Sequence, residues 1–397
     1  MRLNKLTLGD ALELLIDNRG KNPPFEPVGI PVVSGMSVRQ GGGLDVSTSR
    51  RVSVATYKRW MPQPTQPNDV VLTSEAPLGR VAIIKSPEPL LIGQRVFCMR
   101  GRPGVLDSRF LYYSLQTELV QNELRSRATG TTVLGIRQPE LRKVQIPAPE
   151  FSYQVSIAEF LGTLDNKIAS NERLHLVAKE FLATLFARLG VVDDDDARET
   201  PLADLVEFNP RLTVLGGQNA VYLDMKNLPN VAMTVSEWGY RPPQGGARFQ
   251  NGDVLLARIT PCLENGKTGF IDFMQTGDVG IGSTEFIVMR SREGVPPAFP
   301  YFLSITSKFR EYAIRHMVGS SGRQRLAWSD LANFHIRRPD EKALREFGEA
   351  AKVFFPRVKA AVEESRALRG TRDELLPLLM SGRIGLRDAE KFMEEVL

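Results

Sequence analysis

Two kinds of hydrophobic pattern alternate along this chain. Short apolar runs, Val70-Val71-Leu72, Val81-Ala82-Ile83-Ile84, Val96-Phe97-Cys98-Met99, Val254-Leu255-Leu256 and Phe286-Ile287-Val288-Met289, lie between Gly, Pro and Asn and predict β-strands. Helical patterns follow near Arg109 to Leu124 and near Pro300 to His316, so the runs belong to mixed α+β globules. Each globule is followed by a longer stretch with apolar residues every 3.5 positions on average. In the first, Ile157, Leu161, Leu164 and Ile168 keep a 4-3-4 spacing; in the second, Phe347, Ala351, Phe354, Val358, Ala361 and Leu368 keep a heptad-like register with Ser365 as a polar interruption. Such a seam marks helices that pair. A single helix of this kind commonly lies on its own domain, but two with the seam at one offset can satisfy each other. The first helix is expected to end near Leu189, because Gly190 suits the left-handed position just past a helix end. Asp193 to Asp196 then reads as a solvated linker, since consecutive acids cannot all face one ion.

The chain repeats itself. Asn68-Asp69-Val70-Val71-Leu72 recurs as Gly252-Asp253-Val254-Leu255-Leu256, 184 residues later. Gly93 and Phe97 recur as Gly282 and Phe286, Phe110-Leu111-Tyr112-Tyr113 as Phe299-Pro300-Tyr301-Phe302, and Gly130-Thr131-Thr132 as Gly319-Ser320-Ser321, all at 189. Leu141, Ile146 and Pro149 recur as Leu331, Ile336 and Pro339 at 190, the offset that also relates Ile157 to Phe347 and Ile168 to Val358. The chain therefore reads as two diverged copies of one unit: a globule over 1–150, a spacer helix over 151–190, an acidic linker over 191–200, a second globule over 201–340, a second spacer helix over 341–380 and a C-terminal tail over 381–397.

Composition narrows the class. Of 397 residues, 42% are hydrophobic and 24% charged, ordinary for a folded globular protein and outside the range of disordered or fibrous chains. Two cysteines and three histidines cannot build a disulfide scaffold or a cysteine-rich zinc site, so no structural metal is expected. No apolar run approaches the roughly 18 residues of a membrane helix, and the start MRLNKLTLGDALELLID lacks the features of a signal peptide; a cytoplasmic protein without membrane association is expected. The net charge of +5 is uneven: +7 over 1–150, −4 over 151–200, +2 over 201–340 and zero over 341–397. Positive charge thus sits in the globules, which is weak evidence for nucleic acid by itself.

Catalytic chemistry is not evident. Asn22-Pro23-Pro24-Phe25 matches the motif of amino-methyltransferases that act on a flipped base, but Gly41-Gly42-Gly43 is not followed by a helix able to complete a cofactor loop. There is no phosphate-binding loop of the Gly-x-x-x-x-Gly-Lys-Ser/Thr type and no nuclease cluster of paired carboxylates and lysine. His175, inside the first long helix, reads as a packing residue.

The segment GTTVLGIRQPELRKVQIPAP from Gly130, followed by Gln154 and IAEFLGTLDNKI, resembles the junction of recognition domain and helix in specificity subunits of type I restriction–modification enzymes. Supporting likenesses are a weaker second version over 319–339, Arg19-Gly20-Lys21-Asn22-Pro23 leading to Gly29-Ile30-Pro31, Tyr222-Leu223-Asp224-Met225-Lys226, Gly252 to Arg258, and the tail Leu375 to Ile384. Tyr153-Gln154 stands where the family usually has Glu-Gln. The resemblance implies an α+β fold of two repeated target-recognition domains separated by two long helices in an antiparallel coiled coil. It implies a non-catalytic subunit that reads a bipartite site in double-stranded DNA and docks modification (methyltransferase) subunits, with restriction subunits as further partners. S-adenosylmethionine, ATP and Mg would then be held by those partners and no cofactor by this chain. A first helix of about 36 residues would be roughly 54 Å long, within the roughly 35–70 Å between half-sites one or two DNA turns apart. The competing readings are a fused DNA adenine methyltransferase and a coiled-coil scaffold that binds no DNA.

Arg and Lys supply phosphate and guanine contacts, and hydroxyls add contacts to both backbone and bases. The candidates cluster at the repeated Gly-Thr/Ser segment: Arg125, Arg127, Thr131, Thr132 and Arg137 in copy one, and His316, Ser320, Ser321, Arg323 and Arg325 in copy two. A second set is Arg39, Arg50, Arg51, Lys58, Arg80, Arg258 and Lys267. The alternative for each is a solvated surface charge, and Arg137 equally suits a structural junction. The helices expected to dock partner subunits are marked by Ile157, Leu161, Leu164, Ile168, Phe347, Phe354, Val358 and Leu368.

Overall fold

The apolar runs are uninterrupted because the central strands are buried on both faces. In the computed structural model, which describes residues 3–18, 20, 22–192, 199–214, 219–320 and 322–396, Val70, Leu72, Phe97 and Met99 point into one core while Val71, Val96 and Cys98 point into another. The second copy repeats this: Val254, Leu256, Ile287 and Met289 enter one core, and Leu255, Phe286 and Val288 enter a second. The side-chain period of two along a strand sends alternate residues to opposite faces. Burial also pushes the Cys98 thiol pKa up, so it behaves as a small hydrophobe.

The chain divides into two units, Met1–Lys167 with Ala367–Leu397, and Ile168–Arg366. The first contains a four-stranded antiparallel sheet ordered Leu12–Asp17, Val96–Gly101, Val70–Thr73, Val81–Ile83, and a three-stranded sheet ordered Arg51–Val52, Ile30–Val33, Leu91–Ile92. In the second, Val206–Phe208, Phe286–Ser291, Val254–Ala257 and Thr268–Phe270 form the matching antiparallel sheet. A further four-stranded sheet is ordered Gly239–Arg241, Ala220–Leu223, Gly280–Gly282, Ala247–Phe249. Each unit also has a two-stranded ribbon, Asn4–Thr7 on Gln145–Ala148 and Glu199–Pro201 on His335–Arg337. Both described ends of the expected linker's span are therefore structural: Val191 is buried and its carbonyl accepts from Arg337 N at 3.0 Å, while Glu199 and Thr200 belong to the second ribbon. Asp193 to Asp196, like Arg19 and Lys21 of the N-terminal likeness, lies outside the described residues.

Each helical pattern after the strands is a pair of helices rather than one. Ser108–Ser114 and Glu118–Ser126 are divided at Thr117, whose hydroxyl accepts from Val120 N and donates to Ser114 O. Phe299–Ser304 and Ser307–Arg315 are divided at Thr306 in the same way. Threonine satisfies an exposed N-terminal N–H better than it serves a helix interior, so it starts a new helix.

The long helices are Phe151–Ala187 and Glu341–Met380. In the first unit Ile157, Ala158 and Leu161 share a core with Leu375, Leu376 and Leu379. In the second unit the two helices run antiparallel: Asn171 Nδ2 donates to Glu364 Oε2 at 2.7 Å, and the rings of Phe181 and Phe354 and of Phe186 and Phe347 lie 5.3 and 5.5 Å apart. Phe186 and Phe347, the fully buried rings of these, each contribute about 1.5–3 kcal/mol. Gly190, at φ +62, follows the first helix as its sequence position predicted. The seam of the second helix differs in one place. Phe355 is the buried ring, packed on Phe270 and Phe302, while Phe354 is half-buried against Phe181.

Gln154 is consumed inside the first unit. Its amide donates to Val105 O and Pro149 O, both at 3.0 Å, and accepts from Asp107 N at 3.1 Å. Tyr153 Oη accepts from Leu386 N at 3.0 Å and so holds the helix Leu386–Val396, which occupies most of the expected tail. Among the described residues no helix is long and apolar enough to cross a membrane.

Candidate nucleic-acid interface

The repeated Gly-Thr/Ser segments are closed finger loops. Thr129 and Gly135 exchange both backbone hydrogen bonds, at 2.9 and 3.0 Å, and Val318 and Arg325 do the same at 2.9 Å each. Each finger hangs on the same place in its unit: Ile136 N donates to Ser74 O at 2.9 Å, and Leu326 N to Arg258 O at 2.8 Å. Glu75 bridges Gly135 in one unit as Ile259 bridges Arg325 in the other. The glycines are required. Gly130 lies at φ +121 with the place of a Cβ 2.1 Å from Val133 O, and Gly319 at φ +141 with that place 2.7 Å from Arg323 O.

The tips are open. Thr131, Thr132, Ser320 and Arg323 are exposed, as are the apolar Val133, Leu134 and Val318. Ser321 lies outside the described residues. Arg125 ends the helix Glu118–Ser126 and pairs with Glu118 and Asn122; Arg127, just past it, pairs with Glu123 at 2.8 Å and Glu140 at 3.8 Å. Arg137 is exposed and precedes the short helix Gln138–Leu141. Finger, flanking arginines and Arg137 thus form one contiguous segment of the first unit. In the second unit His316 is stacked on Tyr312, its centroid 3.9 Å away, with Nδ1 2.8 Å from Tyr312 O.

The second candidate set is more engaged. Arg39 pairs with Asp45, whose carboxyl it holds well below the usual range. The Arg50 guanidinium sits 3.7 Å from the centroid of Phe25, which accounts for that ring of the Asn-Pro-Pro-Phe segment by cation–π contact. Arg51 donates to Gly29 O at 2.8 Å and Arg80 to Val38 O at 3.4 Å, while Lys58 is exposed on the helix Val54–Trp60. Lys267 Nζ donates to Met225 O and Leu228 O at 2.8 and 3.1 Å, so its ammonium closes a turn within the protein. Arg258 and Arg325 converge on one carboxylate, Glu285, at 3.6 and 2.7 Å. The hydrogen bonds from Arg325 hold the Glu285 carboxyl below its ordinary range. Beside Arg258 lies a cleft of about 600 Å³ whose lining includes Asn209, Arg211, Thr213, Arg248 and Thr284. Arg211 and Arg248 were not marked by the sequence, because nothing in the repeat distinguishes them.

The helix residues marked for docking face inward: Ile157, Leu161, Phe347 and Val358 are fully buried, Leu164, Ile168 and Leu368 nearly so, and Phe354 half-buried. They hold the helices rather than offer a surface. The exposed large apolar residues on the first long helix are instead Leu174, Leu176, Val177 and Phe181, of which Leu174, Val177 and Phe181, at i, i+3 and i+7, share one face.

Residues 57–179 match the model of the type I restriction modification DNA specificity domain. The chain is 23% identical over 348 residues to the type I restriction enzyme MjaIX specificity subunit of Methanocaldococcus jannaschii, covering 80% of this chain and 78% of that one. It is 25% identical over 201 residues to the EcoEI specificity subunit of Escherichia coli, 46% of this chain and 33% of that one. Its fold is similar to that of a type I restriction–modification S subunit from M. genitalium, with a TM-score of 0.62, 16% identity and 96% of both chains covered. With the repeat and its long helices, the chain is thus similar over most of its length to specificity subunits of type I restriction–modification enzymes.

Proposed function

We propose that this chain is the non-catalytic, sequence-specific DNA-binding subunit of a type I restriction–modification complex, and that each unit reads one half of a bipartite site in double-stranded DNA. The observation that carries this reading is the duplicated finger: two loops of different sequence, built on the same backbone bonds and the same required glycine, each with exposed hydroxyls and arginines beside it. A fixed frame with variable tips suits two readers of different base sequence. Arg125, Arg127, Thr131, Thr132 and Arg137 serve the first reader, and Ser320, Arg323, Arg325 and Arg258 the second, with Arg211 and Arg248 beside them. Modification subunits, which would bring S-adenosylmethionine, dock on the exposed helix face of Leu174, Val177 and Phe181; restriction subunits would bring ATP and Mg. The relatives' names as specificity subunits support this division of labour.

The test is binding of the full chain to a pool of random duplexes. Enrichment of a motif in two separated parts supports the reading. Methyl transfer from labelled S-adenosylmethionine by the pure chain would instead support a fused methyltransferase, and absence of binding at low salt would support a scaffold.

A further inference from the structure

At the base of the second finger, one arginine is held so that only one edge of its guanidinium is free. Arg325 Nε lies 3.0 Å from both carboxylate oxygens of Glu285, and Nη2 donates to Oε1 at 2.7 Å. Those contacts occupy the side edge of the guanidinium. The end edge, with one N–H on Nη1 and the second on Nη2, has no hydrogen-bond partner among the described residues, and the side chain is 54% exposed. Two parallel N–H donors on a planar group match two neighbouring acceptors, and in the DNA major groove guanine presents such a pair in O6 and N7.

Charge separates a base from a phosphate as the occupant. A phosphate contact draws on the full positive charge of an arginine, and a carboxylate beside it opposes that attraction. Guanine's acceptor edge is uncharged, so it keeps the hydrogen bonds while the carboxylate only fixes the direction of the donors. Arg325 is also fixed at its backbone by the bridges to Val318 and Ile259. The first unit also carries an arginine–glutamate pair at its finger base, but from a different pair of positions. Glu75 stands at the position of Ile259, Arg95 at that of Glu285 and Gly135 at that of Arg325, and Arg95 Nε lies 3.2 Å from Glu75 Oε1. A carboxylate-held arginine at the finger base thus recurs, although the residues that supply it do not.

We propose that Arg325 reads a guanine in the half-site of the second unit and that Glu285 is its positioning residue. This rests on the DNA-reading function above. The test compares the full chain with Arg325→Ala, Arg325→Lys, Glu285→Gln and, as a control, Arg315→Ala, after thermal melts confirm that each is folded. Each is bound to a random duplex pool and the bound fraction is sequenced. The wild type selects a motif with a guanine that Arg325→Ala and Arg325→Lys stop selecting, losing about ten- to hundredfold preference at that base pair alone. Glu285→Gln weakens preference at the same base pair and raises binding to unselected duplex; Arg315→Ala changes neither. A uniform loss of affinity with the motif intact makes Arg325 a phosphate contact and overturns the inference, as does an unchanged motif at unchanged affinity. A wild type that selects no motif overturns the DNA-reading function itself.

Discussion

Arg372 donates to Asp165 across the two long helices of the first unit, Nη1 to Oδ1 at 2.7 Å, and Tyr113 Oη donates to the other oxygen of the same carboxylate at 2.7 Å. Both charged side chains are about four-fifths covered, so the interaction is made largely out of water. At the repeat offset the corresponding residues of the second unit are Phe355 for Asp165, Phe302 for Tyr113 and Leu182 for Arg372. All three are buried in one core, with the rings of Phe302 and Phe355 6.5 Å apart. One scaffold has therefore filled the same place once with a polar triad and once with hydrophobes.

That substitution predicts a non-additive result. Asp165→Ala leaves Arg372 Nη1 and the Tyr113 hydroxyl without their acceptor, although Arg372 keeps Asp373 through Nε and Nη2 at 3.0 and 2.8 Å, and should lower the stability of the first unit by about 1–3 kcal/mol. The triple variant Tyr113→Phe, Asp165→Phe, Arg372→Leu copies the second unit and should lose less than the single change, because apolar groups of suitable size can replace a buried polar set at little cost. Urea unfolding of both variants checks this. A triple variant weaker than Asp165→Ala would show that the two cores do not accept the same filling.

A second buried pair occurs in both units without change. Asp253 is fully buried and receives Arg290 through Nε and Nη2 at 2.7 and 2.8 Å, with Gln250 N at 2.8 Å. Asp69 receives Arg100 and Gln66 N with the same distances. Arg290→Ala should cost about 3–5 kcal/mol by stranding a buried carboxylate, and the double variant Arg290→Met, Asp253→Leu should cost less. Equal losses in thermal melts would mean that strain, rather than the stranded charge, sets the cost.

Two groups of the second unit give stability opposite pH dependences. Burial pushes the Asp272 carboxyl up to about 7, aided by the charge of Glu363 and opposed by Lys359, and neither carboxylate oxygen has a hydrogen-bond partner in the described structure. The folded state thus holds a proton that the unfolded state, near 3.8, has lost. This group's contribution is greatest below the unfolded value and is lost as pH rises toward 7. Asp272→Asn should therefore raise the melting temperature at pH 8 and much less at pH 5. His175 Nε2 accepts from Met233 N at 3.0 Å, and burial, with the Lys179 charge second, lowers its pKa from 6.5. The folded state resists a proton that the unfolded state takes up, so stability falls as pH drops below 6.5, and His175→Gln should flatten that fall. Melting curves of the two variants from pH 5 to 8 separate the effects by their sign.

The repeat, the strands and the helix seam were legible because they are set by patterns along the chain. Val70-Val71-Leu72 and Val254-Leu255-Leu256 are strands covered on both faces, and Ile157 and Phe347 are buried where a common offset placed them. The smaller sheets escaped because their strands are short and lie among glycines, as in Gly280–Gly282. The polar function at the finger base escaped for another reason. Arg95 and Glu75 stand where Glu285 and Ile259 stand in the other copy, so aligning the copies pairs an arginine with a glutamate and hides the likeness. His175, read as a packing residue, has a polar task, which only the fold reveals by bringing Met233 to its ring.

The finger glycines permit a test that separates reading from folding. At Gly130 and Gly319 a side chain meets backbone oxygen at 2.1 and 2.7 Å, and both residues hold a left-handed φ that L-residues rarely adopt. Alanine at either place must therefore shift the loop tip. The tips are exposed and lie outside the cores, while the finger bases are held by separate bonds from Ile136 to Ser74 and from Leu326 to Arg258. The cores should stay intact, and melting temperatures should move by only a few degrees, in keeping with about 1–2 kcal/mol of local strain. Reading should not stay intact. If each unit reads its own half-site, Gly130→Ala should degrade selection of one half of a bipartite motif and Gly319→Ala the other, each leaving its counterpart unchanged. Sequencing of duplexes bound by the two variants decides this. Loss of the same half in both, or of neither, would mean that the fingers do not divide the site between them, and reading would then have to be assigned to the clefts and sheets beside them.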